Sequence, residues 1–181
     1  VTIASPASLG ADRTITLPDG DVTLVAGTLA NTPAFQAYLS GNQTLSNNTL
    51  TKLEHNTEIV DTDSAYDNTT NYRFTVPAGG AGKYFLFWRV FFHTDGSLVT
   101  GGLVNIYKNG GVLAGTNSAW TVSIDGSTGC EYLPMSGSTI VDLAATDYIE
   151  IYGRGESVNN TSDPLVISNS LGFGGYKLIG V

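Results

Sequence analysis

The stretch Lys83-Tyr84-Phe85-Leu86-Phe87-Trp88-Arg89-Val90-Phe91-Phe92-His93 constrains this chain more than any other segment. It is rich in aromatic residues, contains no turn former, and shows no helical spacing, so it reads as strand. In a strand, successive side chains point to opposite faces. One face then carries Tyr84, Leu86, Trp88, Val90 and Phe92 without a polar break, and the other carries Phe85, Phe87, Arg89, Phe91 and His93. A two-layer antiparallel sandwich covers one face of each sheet and leaves the other to water. Three Phe side chains on that second face make a patch large enough to mark an interface. The second face is therefore expected to meet another subunit, with Arg89 and His93 as its polar minority. The alternative is that N-terminal residues of the same chain fold over it.

Short strand-like runs separated by Gly, Asn, Asp and Pro clusters fill the rest of the chain. Strands are expected at 14–17, 22–25, 34–38, 51–53, 58–60, 73–76, 82–93, 102–109, 111–114, 119–124, 129–133, 138–143, 148–153 and 173–181. That spacing predicts an all-β antiparallel sandwich or jelly roll. Residues 1–32 hold two short strands around Pro18-Asp19-Gly20, a turn sequence, and contain no aromatic residue. Two strands alone are not stable in water. This segment must pack on the main domain, residues 33–181, or on its own copies. The closing run Phe173-Gly174-Gly175-Tyr176-Lys177 alternates glycine with large residues, so backbones approach closely there. Tyr176 joins the expected interface.

Composition removes whole classes of function. With 8 basic against 16 acidic residues and a net charge of −8, the chain lacks the cations that phosphate backbones require. Neither nucleic acid nor an anionic membrane surface is an expected partner. No apolar run approaches membrane-spanning length, so no membrane insertion is expected. The single cysteine, Cys130, cannot form an internal disulfide and reads as a small buried hydrophobe. No signal peptide is evident, and a first residue of Val1 suggests a processed chain or a portion of a longer one.

The residues offer little catalytic chemistry. His55 reads as solvated beside Glu54, and His93 precedes Asp95 without a nucleophile elbow or a poised serine. No phosphate-cradling or dinucleotide motif is present, so no enzyme and no cofactor are expected. Asp61, Asp63 and Asp67 are a weak Ca²⁺ candidate. Read as an EF-hand opening from Asp61, the sixth position is Tyr66 rather than Gly and the twelfth is Tyr72 rather than Glu. A solvated loop with Asx turns accounts for them better. Trp120 reads first as core in strand 119–124. Its second reading is an exposed aromatic for a saccharide, among the loop residues Asp95, Asn117, Asn159 and Asn160.

Several blocks, in order, resemble the jelly-roll superfamily of the complement-one-q globular head and tumour necrosis factor. They are Ala34-Phe35-Gln36-Ala37-Tyr38, Tyr72-Arg73-Phe74-Thr75-Val76-Pro77 with Gly82-Lys83-Tyr84-Phe85-Leu86-Phe87, and Ile106-Tyr107-Lys108-Asn109-Gly110. Asp147-Tyr148-Ile149-Glu150-Ile151 and Phe173-Gly174-Gly175-Tyr176-Lys177-Leu178 complete them. The resemblance implies a compact homotrimer with aromatic residues near its axis. Residues 1–32 carry no collagen-like Gly-X-Y repeat. Residues 12–24 instead resemble the short β-repeats of bacteriophage tail-fibre and appendage proteins. Together these imply a non-enzymatic virion structural protein, the trimeric head of a tail fibre or appendage. Other virion proteins would be met through the N-terminal segment, and a host surface saccharide or protein through the loops. Two alternatives stay open: a capsid decoration or head-fibre protein, and a secreted lectin-like or signalling ligand.

Overall fold

The computed structural model describes residues 30–121, 128–158, 162–168 and 172–179. The two N-terminal strands expected at 14–17 and 22–25 lie outside them, as do Asn159 and Asn160. Fourteen strands follow in order: β1 (Ala34–Tyr38), β2 (Gln43–Thr44), β3 (Thr51–Lys52), β4 (Thr57–Asp61), β5 (Tyr66–Asp67), β6 (Arg73–Thr75) and β7 (Gly82–Thr94). Then come β8 (Val99–Lys108), β9 (Gly111–Val112), β10 (Ser118–Thr121), β11 (Tyr132–Leu143), β12 (Tyr148–Ser157), β13 (Pro164–Val166) and β14 (Gly172–Lys177). No α-helix occurs among the described residues.

The strands form two antiparallel seven-stranded sheets. In one, β7 lies between β11 on one side and β14 and β13 on the other, followed by β1 and the edge strand β4, while β2 pairs with β13. In the other the order is β10-β8-β12-β6-β5, with β3 and β9 attached to β12 and β8. The core lies between them. Tyr84, Leu86, Trp88, Val90 and Phe92 are all buried, as the alternation along β7 requires, and they face Phe74, Val104, Ile106, Ile149 and Ile151. Phe35 stacks on Phe74 with centroids 4.3 Å apart and meets the edge of Phe173.

Glycines on the inner faces make room for these rings. A Cβ on Gly137 would stand 2.3 Å from Trp88 Cζ2, and one on Gly102 would crowd Phe92, Leu133 and Met135. This explains one departure from the expected strands. Pro134 to Gly137 reads as a break, yet β11 runs unbroken through it, paired with β7 from Tyr132↔His93 to Leu143↔Gly82. Among the described residues β11 pairs only with β7, so Pro134 occupies an edge position where no ladder donor is lost.

Candidate interaction surfaces

The outer face of β7 is completed by its neighbours. Register places Tyr176 beside Phe85, Gly174 beside Phe87, Ile140 across from Phe85, and Tyr132 across from His93. Phe85 packs on Phe87 and on Tyr176, with centroids 6.3 and 5.5 Å apart. Phe87 lies down over Gly174, where a Cβ would come within 2.5 Å of the ring. Nothing within the described residues covers this surface. Phe85, Phe87, Phe91 and Tyr176 are half-buried, and Ile140 is 59% exposed. The structure thus brings together the residues expected at the interface: Phe85, Phe87, Arg89, Phe91, His93 and Tyr176.

Arg89 is exposed on this face, its guanidinium 4.7 Å from the centroid of the Phe91 ring. Among the described residues no carboxylate reaches it. His93 is held on three sides. Its ring stacks on Tyr132 at 4.6 Å, Nε2 lies 3.3 Å from Asp95 Oδ1, and Nδ1 lies 2.9 Å from the Glu131 carbonyl.

Trp120 is not a core residue. It is 61% exposed, although it pairs with Gly102 and so shares the inward-pointing side of its sheet. β10 is the last strand of that sheet, and no described residue closes over the ring there. Trp120, Cys130, Tyr132, Leu133 and Pro134 instead line an open apolar cleft of about 410 Å³. Cys130 is half-buried rather than enclosed, and burial pushes its thiol pKa up.

The expected receptor residues separate in space. The turn at Asp95 joins β7 to β8, and Val158 N–H donates to Leu98 O, which brings the chain leaving β12 at Val158 to the same end. Asn47 binds that segment too: its N–H donates to Asp163 Oδ1 and its Oδ1 accepts from Ser157 N–H. Pro33 lies at the other end of β7, where its carbonyl accepts from Lys177 N–H. Thirteen residues of strand separate the ends, roughly 40 Å. Asn117 is exposed but precedes Ser118, which pairs with Val104 midway along β8, and so stands apart from the end cluster.

The acidic loop is organised around its own backbone. Asp61 accepts from the N–H groups of Ala65 and Tyr66. Asp67 accepts from the N–H groups of Thr70, Thr69 and Asn71 and from the Asn71 amide, which hold its carboxyl far below the usual range. Asp63 accepts from the Thr62 hydroxyl. No group of three metal-ligating side chains gathers among the described residues.

His55, expected in solvent, is buried. Leu53 and His55 point inward while Glu54 and Asn56 point out, a period-two alternation that the sequence already contained. Burial lowers its pKa to about 4, opposed by a backbone hydrogen bond at Leu53, and Nδ1 has no partner.

No protein-family model matches the sequence, and no curated protein matches it. The likeness is structural. Eiger TNF from S. frugiperda superposes with a TM-score of 0.54 at 13% identity, over 82% of this chain and 92% of that one. The fold is a TNF-like jelly roll. The globular domain of zebrafish complement 1qA matches the TNF-like sandwich at 18% identity and TM-score 0.48, covering 81% and 97% of the two chains. Murine APRIL matches at 15% identity and TM-score 0.48, covering 80% and 98%. At these identities the likeness extends to the fold alone.

Proposed function

We propose that this chain is the non-enzymatic, homotrimeric head of a phage fibre or appendage, which carries receptor-binding loops at the end remote from residue 33. The aromatic outer face of β7 supports this reading most directly. A single copy leaves Phe85, Phe87, Phe91 and Tyr176 half in water, and completing their burial gains on the order of 1 kcal/mol per ring. The appendage context rests on residues 12–24, which resemble the short β-repeats of fibre proteins. The loops at Asp95 and Asp163 and the Trp120 edge are the surfaces offered to a host saccharide or protein. Three linked copies raise avidity without any new contact, so weak single sites suffice.

The likeness to Eiger TNF favours a second reading, a secreted signalling or lectin-like ligand. Immunogold labelling of virions with antibody to this chain separates the two, and labelling on the capsid rather than the tail would select a decoration protein. Light scattering at micromolar concentration is expected to give three times the chain mass, and a monomer mass would end the trimer reading. Neutral sequence grafted into 95–98 and 158–163 should leave the trimer intact and abolish adsorption to host cells. Undiminished adsorption would remove the receptor role.

A further inference from the structure

A ring of three copies cannot be closed by one patch meeting itself, because rotation by a third of a turn requires two different surfaces in contact. The outer face of β7 is one of them. Two sheet edges offer exposed apolar side chains for the other. The β4 edge carries Ile59 and Val60, 55% and 40% exposed, beside Glu58. The β10–β11 edge carries the larger apolar surface, Trp120 and Tyr132 around the 410 Å³ cleft.

Apolar area favours the β10–β11 edge, and the charge on the aromatic face names its partner there. Arg89 stands on an otherwise aromatic face without a carboxylate in reach, and burying that face in an assembly would strand the guanidinium at high cost. The assembly must therefore supply an anion. Four acidic side chains are held by cations at home: Asp142 by Lys83, Glu150 by Lys52, Glu156 by Arg154, Asp147 by Lys108. Glu58 is exposed and makes no ion pair among the described residues, but it stands on the β4 edge, beside the smaller apolar surface. Glu131 is exposed and makes no ion pair among the described residues, and it sits between the cleft residues Cys130 and Tyr132.

Building on the trimer reading, we infer that the Trp120–Tyr132 edge of one copy seats on the aromatic face of the next, with Glu131 paired to the neighbour's Arg89. The ion pair fixes the register of an apolar contact that would otherwise slide.

A charge-swap cycle in the full chain tests this. Arg89→Glu and Glu131→Arg are each expected to weaken association on the order of a hundredfold, and the double variant should recover most of that loss. Glu131 lies on the exposed edge, so Glu131→Arg carries the test even if Arg89→Glu fails to fold. Unchanged association in Glu131→Arg would overturn the pairing, as would rescue of Arg89→Glu by Glu58→Arg. Trp120→Ala should also loosen the trimer. A tight Trp120→Ala trimer that no longer adsorbs to host cells would overturn the inference and give the cleft to the receptor. A monomeric wild-type chain would instead fail the trimer reading itself.

Discussion

The outer face of β8 and β12 carries two ion pairs beside its rings, whereas the outer face of β7 sets an exposed Arg89 among rings with no carboxylate near it among the described residues. On the first, Lys52 meets Glu150, Arg154 meets Glu156, the Arg73 guanidinium lies 4.2 Å from the centroid of the Tyr148 ring, and Tyr107 packs on Tyr152 at 4.2 Å. Both faces are aromatic, so hydrophobicity alone does not tell them apart. The first is complete within one chain and needs only water beyond it. The second leaves its rings half-buried and Arg89 and Ile140 exposed among the described residues.

The comparison breaks most sharply with a carboxylate placed on each face. Phe87→Asp is expected to reduce the mass in solution to that of one chain, while Tyr107→Asp leaves it unchanged. Equal loss in both would make the two faces equivalent. Acid should act on the sandwich itself and not on this contrast. The buried His55 has a folded pKa of about 4 against 6.5 when unfolded, so its stabilising contribution is complete above pH 6.5. Between pH 6.5 and 4 the unfolded chain binds the extra proton, and about 2–3 kcal/mol of stability is lost. Urea titrations at pH 7 and pH 4.5 measure this, and His55→Phe should flatten the difference. The smallest effect is expected from Glu150→Gln, which leaves Lys52 without its carboxylate. With Lys52 partly open to solvent, the loss is about 1 kcal/mol, a drop in melting temperature of roughly 2–4 °C without a change in mass. A loss of trimer there would show that the paired face also takes part in assembly.

Much of the fold was legible because period two is a strong signal where a strand is long and central. The alternation along β7 placed five core residues correctly and exposed the second face at the same time. It failed where position within the sheet mattered more than parity. Trp120 points to the inner side, and only its place on a terminal strand leaves it in water. The short β2, β5 and β13, of two or three residues each, have no period to read. Of the candidate surfaces, the aromatic face was legible and the cleft was not, since Trp120, Cys130 and Pro134 meet only when two sheets end side by side. His55 was missed because Leu53-Glu54-His55-Asn56 was weighed by residue type, although its alternation was there to be seen.

Pro134 has a consequence for how copies can stack. β11 is a twelve-residue edge strand, long enough to template unlimited strand-by-strand growth into fibres. Proline cannot donate a hydrogen bond, so the outward row of donors along β11 has a gap near its start. Ladder growth from this edge stalls there, while contacts made through side chains are untouched. One ring nitrogen thereby blunts this edge against strand-by-strand addition.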